Sequence, residues 1–244
     1  MKWSGQNMEP VQLANTGVHE KVLNHFKTFT PGHVLDLPCG PGALSKALDE
    51  MRYKVTAGDI HPEYMNIQGI KAIECNMNSQ LPFKDVSFDY VVCVEGIEHT
   101  ENPYNAIREI SRVLKPGGKL VITTPNYLNI ERRLKFLFTG SFSKPVTADA
   151  FINLYGRDNS SMHNSPMNYP ALKLMLESSN LRITSIEKEK TKRKQIFLYP
   201  FILLIRMYTR LWSRKQRRKY LIDEVNAEVI LNGGNNLIMI CVKE

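Results

Sequence analysis

The stretch VLDLPCGPG, Val34 to Gly42, decides how this chain reads. A short apolar run, HVLDL, ends in a turn of two prolines, a cysteine and two glycines, and a helical pattern, ALSKALDEM, follows at once. A chain turns this way when its backbone must pass close to something. Glycine has no Cβ, so a ligand can lie against the main chain at Gly40 and Gly42. Asp36 sits just inside the end of the strand. Pro38 is unusual in such a turn, because proline fixes φ and removes a backbone donor.

Outward from this turn the same rhythm repeats. Before it, HEKVLNHFKTF has apolar residues at 22, 23, 26 and 29, the helical spacing, and Pro31-Gly32 stops it. After it come YKVTAGD as a second strand, HPEYM as a short helix, IKAIEC as a third strand and FDYVVCV as a fourth. The unbroken apolar run of the fourth predicts a strand covered on both faces. NPYNAIREISRVL reads as a helix with Pro103 in its first turn, KPGG as a turn, and KLVITTP as a fifth strand. Further on, YPALKLMLESSN predicts a helix, LRITSIEKE a strand, and NNLIMICVKE a closing strand. Strand–helix–strand repetition with short connections predicts an α/β, doubly wound, parallel sheet. The rhythm breaks twice, at about 127–167 and about 190–232, and both stretches read as insertions into a single domain spanning 1–244.

In open α/β sheets, ligands bind beyond the carboxyl ends of the strands, where the strand order reverses. The second strand ends at Asp59, 17 residues after Gly42, where a carboxylate can accept from both hydroxyls of a ribose. A nucleoside derivative is therefore the expected cofactor. A dinucleotide fingerprint would place a third glycine where Ser45 stands, which speaks against a dehydrogenase. The Gly-Lys-Ser/Thr ending of a phosphate-binding loop is absent.

These residues together resemble the class I S-adenosylmethionine-dependent methyltransferases. VLDLPCGPGALSKAL resembles their first motif and VTAGDIHPEYM their second. The run from Cys75 to Asn126 resembles the third and fourth motifs with the helix and strand that follow. The resemblance covers roughly residues 19–126, and more loosely 168–190 and 235–244. It implies a Rossmann-like, seven-stranded mixed sheet with a final antiparallel strand, and S-adenosylmethionine as cofactor. By the same resemblance, Gly40 and Gly42 approach the methionine part, with Asp36 near its ammonium. Asp59 takes the ribose hydroxyls and Ile60 packs on the adenine. Asn76 and Met77 stand where many members place an Asp beside the adenine amino group. Val94 and Glu95 lead from the fourth strand toward cofactor and acceptor. Pro38, in place of the usual first glycine, and Asn76 are departures from the family pattern, and they keep a non-catalytic nucleoside-binding module open as an alternative.

Transfer of a methyl group to a hydroxyl needs alignment and removal of a proton. His99, after the fourth strand, and His163, before the next helix, are the candidate catalytic bases, with capping or carbonyl-bonding roles as the alternatives. Glu98 is expected to orient its loop, and Tyr127 and Tyr155 to pack or to line an acceptor pocket. The four cysteines form no CxxC pair and lie beside no histidine cluster, so buried free thiols are expected and no metal.

The formal net charge of +8 is unevenly placed. Lys188 to Tyr220 holds twelve Lys/Arg and one acid, a net of +11. This basic stretch wraps the apolar run Ile196–Ile205, which is too short to cross a bilayer. Together with Trp212 and several tyrosines it predicts a segment lying on an anionic membrane surface. The alternatives are a solvated basic helix whose apolar face closes on the domain itself or on a second subunit, hence a homodimer, and nucleic acid, which is disfavoured because no aromatic and basic residues interleave as in a stacking platform. MKWSGQNMEP carries no apolar leader, so the chain is expected in the cytoplasm, on the inner face of the membrane when peripheral. The expected acceptor is a hydroxyl of a lipid-linked molecule, such as a surface-glycan intermediate or a quinone precursor. A soluble small metabolite is the alternative.

Overall fold

The computed structural model describes residues 12, 14, 17–65, 67–142 and 163–244. Within them the chain runs α1 (Val18–Phe26), β1 (His33–Asp36), α2 (Ala43–Glu50), β2 (Lys54–Asp59), β3 (Ala72–Glu74), β4 (Phe88–Cys93), α3 (Pro103–Val113) and β5 (Leu114–Pro125). It continues with α4 (Ile130–Thr139), α5 (Tyr169–Glu177), β6 (Leu181–Lys188), α6 (Tyr199–Arg210), α7 (Arg214–Lys219), α8 (Ile222–Val225), α9 (Glu228–Leu231) and β7 (Asn236–Lys243). The strands form one seven-stranded sheet in the order β3-β2-β1-β4-β5-β7-β6. β1 to β5 pair in parallel, and β7 runs antiparallel to both β5 and β6. This is the mixed, doubly wound sheet that the sequence predicts.

The pleat sends successive residues to opposite faces, so neighbours in β1 serve different cores. Val34 packs with Val92, Val121 and Ile238 under α1 and α2, where Val22, Phe26, Leu44 and Leu48 meet them. Leu35 packs with Val91, Leu120 and Met239 under α3 and α5, where Ile107, Ile110, Leu172 and Leu176 meet them. Helices on both faces are what make the strands apolar on both sides. The starts of α3, α4 and α5 are fixed by Asn102, Asn129 and Asn168, whose side chains accept from Asn105 N, Arg132 N and Ala171 N. All four cysteines are free and buried.

The KPGG segment differs from its reading as a turn. β5 begins at Leu114, opposite Phe88, and the ladder shifts register before Tyr90 meets Lys119. Gly117, at φ 74°, takes the irregularity inside the strand.

The stretch after β6 folds back over α4. Ile130 and Leu134 of α4 pack with Ile202 and Ile205 of α6 and with Leu231 of α9. The apolar run is not one helix: residues up to Leu198 form a 3₁₀ turn, and α6 starts at Tyr199 with Pro200 in its first turn. Ile202 alone in α6 is fully buried, while Phe201, Leu203, Leu204 and Met207 face outward. No described helix is long and apolar enough to cross a membrane.

Candidate active site

The strand order reverses between β1 and β4, and a cavity of about 510 Å³ opens beyond their ends. That is the size range of small-molecule sites. Asp36, Gly40, Asp59, Ile60, Asn76, Met77, Val94, Glu95 and His99 line it. Nine of the residues that the sequence singles out thus share one wall system, although they come from four separate strand ends.

Asp59 holds the centre of this wall. One carboxylate oxygen accepts from Gly40 N at 2.8 Å and the other from His61 N at 2.9 Å. The turn after β1 is thereby tied to the end of β2, and each oxygen keeps a lone pair for a further donor. Asp36 is 1% exposed and accepts from Ser45 Oγ at 2.6 Å. Burial pushes its carboxyl up to about 7, against the Ser45 hydrogen bond and with help from the nearby Asp59 charge. The serine in place of a third glycine therefore has a partner of its own, which the sequence reading missed.

Pro38 fits without strain on its neighbours' donors. Leu37 N donates to Val92 O and Cys39 N to Gly58 O, so the residue without an N–H falls between two used donors. Its ring fills the space beside Gly96, where an added Cβ would lie 2.2 Å from Pro38 Cδ.

One expectation is corrected. Gly42 does not line the cavity: the place of its missing Cβ is taken by Met65 Sδ at 2.2 Å and Ile67 Cδ1 at 2.7 Å, and its φ is 92°. It is glycine because the protein packs there, not because a ligand does. Asn76 lines the cavity as expected, and its amide oxygen, which accepts from Asn78 N at 2.9 Å, keeps a second lone pair. The exposed apolar and aromatic surface of Ile60 and Tyr64 offers the flat wall that an adenine needs; Tyr64 gave no signal in the sequence beyond its place after β2.

A second cavity of about 270 Å³ adjoins the first and shares Glu95 and His99 with it. Glu98, Arg132, His163 and Asn236 complete most of its wall. Glu95 takes φ 47°, a conformation that costs a side-chain-bearing residue free energy. It is held by Thr123 Oγ1, which accepts from its N–H at 2.9 Å, and by Asn236 Nδ2, which donates to its carboxylate. The His99 and His163 rings meet edge to face at 5.0 Å. Tyr127 Oη lies 3.1 Å from His163 Nδ1, and the Arg132 guanidinium lies 4.5 Å from the Tyr127 ring centre. Burial, His99 and Arg132 together lower the pKa of His163. Glu98 is 1% exposed, and burial pushes its carboxyl up to about 8. The sequence pointed to both histidines but gave Glu98 only a loop role. Tyr155 lies outside the described residues.

Comparison with known proteins agrees with this geometry. A family model described as a methyltransferase domain matches residues 35–122. A ubiquinone biosynthesis O-methyltransferase of Xanthomonas oryzae pv. oryzae is 36% identical over 102 residues, 38% of this chain and 43% of that protein. A protein of the same description from Xanthomonas campestris pv. campestris is 36% identical over 106 residues, 39% of this chain and 44% of that one. The match thus spans less than half the length of these curated relatives. Among solved structures, a SAM dependent methyltransferase from Archaeoglobus fulgidus has a TM-score of 0.58 at 17% identity, covering 93% of each chain. The 1,6-didemethyltoxoflavin-N1-methyltransferase of Burkholderia thailandensis, solved with S-adenosylhomocysteine, has a TM-score of 0.51 at 12% identity, covering 93% of this chain and 79% of that one. At such identities the likeness is one of fold. Residues 35–122 thus match a methyltransferase domain, and the chain shares the fold of S-adenosylmethionine-dependent methyltransferases. The cavity fits the cofactor of that family: a buried acid at each of the first two strand ends, an open backbone at Gly40 and an apolar wall at Ile60.

Proposed function

We propose that the chain moves a methyl group from S-adenosylmethionine to a hydroxyl oxygen of an amphiphilic small molecule of the quinone-precursor type. The observation that carries this reading is the shared wall of the two cavities. A cofactor in the larger one and an acceptor in the smaller one would meet at Glu95 and His99. The bound cofactor supplies a methyl on a sulfonium, which an aligned oxygen displaces in line. In this reading Asp59 binds the ribose and Asp36 faces the ammonium. His99 and His163 receive the acceptor hydroxyl, which loses its proton there.

The choice of acceptor rests on the curated relatives, described as acting in ubiquinone biosynthesis, and on the surface beside the smaller cavity. Arg132 of α4 lines that cavity, and the same helix, which packs on α6 through Ile130 and Leu134, ends in the exposed Phe136, Leu137 and Phe138. A lipid-tailed acceptor would pass from such a surface into the site. A surface-glycan hydroxyl is the weaker reading, because the curated relatives described above act in ubiquinone biosynthesis.

The test is transfer of labelled methyl from S-adenosylmethionine to a panel of hydroxylated acceptors, with and without anionic vesicles. Label on prenylated phenols, raised by vesicles and lost in His99→Ala, is expected. Label confined to water-soluble metabolites and indifferent to vesicles would replace the acceptor class. No label on any hydroxyl would end the enzyme reading and favour a binding module.

A further inference from the structure

We propose that Arg132 is the counterion for a carboxylate on the acceptor, so that the smaller cavity takes hydroxylated aromatic acids in preference to neutral phenols. Nothing in the sequence marks Arg132 off from Arg133 beside it. The fold separates the two. Arg133 donates to Leu128 O, Asn226 Oδ1 and Val225 O, and so ties α4 to α8. Arg132 lines the smaller cavity, its guanidinium over the Tyr127 ring.

That guanidinium carries a charge and meets no acid. Among the described residues it forms no ion pair, and Glu131, next to it in the chain, pairs with Lys192 instead. Glu95, in the same cavity, accepts from Asn236 Nδ2. Glu98, also in the cavity, is pushed up to about 8 by burial, which leaves it mostly protonated at pH 7. A second observation concerns a single atom. Arg132 Nη1 is buried and has no hydrogen-bond partner among the described residues. A buried donor of a charged group left unpaired is costly and rare in folded proteins. A carboxylate on a molecule in this cavity would supply both the partner and the missing charge.

The surroundings hold the arginine in place. Asn129 Oδ1 accepts from Arg132 N at 3.0 Å, and Asn129 Nδ2 donates to Gly234 O at 2.9 Å. The start of α4 is thereby tied to the segment before β7, whose Asn235 and Asn236 line the same cavity. Asn129 and Ile130 are fully buried, which anchors that first turn. Tyr127, under the guanidinium, reaches His163 Nδ1 through its Oη at 3.1 Å. Arginine, tyrosine and histidine thus form one connected wall, and a guanidinium fixed in this way loses little freedom when a ligand arrives.

The class of anion follows from the lining. A planar guanidinium matches a planar carboxylate. The cavity wall holds no lysine and no second arginine, so its one fixed positive charge suits a monoanion better than a phosphate dianion. At about 270 Å³ the cavity is small for a drug-sized ligand, which suits a single ring. With the acid at Arg132, His99 and Glu95, which both cavities share, are left for the ring hydroxyl. The inference rests on the proposed function for the cavity in which the acceptor sits.

The test reads binding apart from activity. Protocatechuate, a dihydroxybenzoate, and catechol, the same ring without the acid, are titrated by calorimetry into the chain saturated with S-adenosylhomocysteine. The acid is expected to bind at least tenfold more tightly than catechol. Arg132→Gln should remove that preference and leave catechol affinity within a few-fold, and Arg132→Lys should keep part of it, since the charge stays and the planar fork is lost. Both variants should keep wild-type affinity for S-adenosylhomocysteine, which shows that they fold, because Arg132 does not line the larger cavity. Equal binding of acid and catechol by the wild type, no binding of either, or a preference that survives in Arg132→Gln would overturn the subsite. A chain that holds the acid through Arg132 but transfers labelled methyl to no hydroxyl would reject the proposed function and keep this inference. Methyl transfer that favours neutral phenols and is unchanged in Arg132→Gln would do the reverse.

Discussion

Asp36 and Asp59 flank the same turn, yet their surroundings set them different tasks. Asp59 accepts from two backbone N–H groups, so it both shapes Gly40's loop and offers lone pairs outward. Hydrogen bonds to a charged acceptor contribute about 1.5–3 kcal/mol each. Asp59→Ala should therefore weaken binding of S-adenosylhomocysteine at least tenfold by calorimetry, and Asp59→Asn less. Unchanged affinity in the alanine variant would place the ribose elsewhere. Asp36 is a group whose pKa rises on folding, from 3.8 to about 7, chiefly through burial. The folded chain holds this proton where the unfolded chain has released it. Stability from this group is thus full below pH 3.8 and falls as pH rises toward 7, by about 4 kcal/mol at most. Between pH 5 and 8 the cofactor-free wild type should lose more melting temperature than Asp36→Asn. Parallel curves for the two proteins would show that Asp36 ionises normally.

At the scale of elements, the turn after β1 and the turn after β4 are built as a pair. Pro38 occupies the space that Gly96 leaves empty. Gly96→Ala would force a Cβ onto the proline ring, and overpacking of this kind shifts backbone. It should cost cofactor affinity at least tenfold, whereas Pro38→Gly alone should change it by only a few-fold. In the double variant Gly96→Ala/Pro38→Gly most of the loss should return, a coupling that only residues in contact show. A strictly additive double variant would mean that the two turns act separately. The elements themselves were legible in the sequence, because strands covered on both faces read as continuous apolar runs and helices as stripes. Asp59 was legible from its distance along the chain to the glycine turn. Gly42 was misread because a missing Cβ does not say which neighbour fills the gap; here it is Met65 from the loop after β2. The meeting of Glu98 with His163 was not legible at all. It depends on hydrogen bonds from Asn164 and Ser165 to carbonyls of the turn after β4, and such loop contacts follow no period in the sequence.

On the whole molecule, charge and apolar surface meet on the part built by α4, α6 and α7. Some of the basic excess is internal: Lys192 pairs with Glu131, Arg206 with Glu228 and Arg217 with Asp223. Arg210, Arg214, Lys215, Arg218 and Lys219 have no acidic partner among the described residues, and all are exposed. They follow directly on Phe201, Leu204, Met207 and Leu211, which are 46%, 61%, 63% and 84% exposed. An apolar face bordered by unpaired cations suits the headgroup region of an anionic leaflet, where burial and attraction add. The proposed lipid-tailed acceptor would be met there. Replacing Arg214, Lys215, Arg218 and Lys219 with Glu should abolish co-sedimentation with phosphatidylglycerol vesicles and leave S-adenosylhomocysteine binding intact, since α7 is remote in sequence and lining from the larger cavity. Salt should weaken the wild-type association, because exposed charges are screened beyond about 8 Å at physiological ionic strength. Leu204→Asp should weaken it as well, by removing apolar burial without touching a cation. If the wild type ignores anionic vesicles and instead elutes as a dimer that Leu204→Asp splits, the surface is a subunit interface, and the acceptor must reach the site from water.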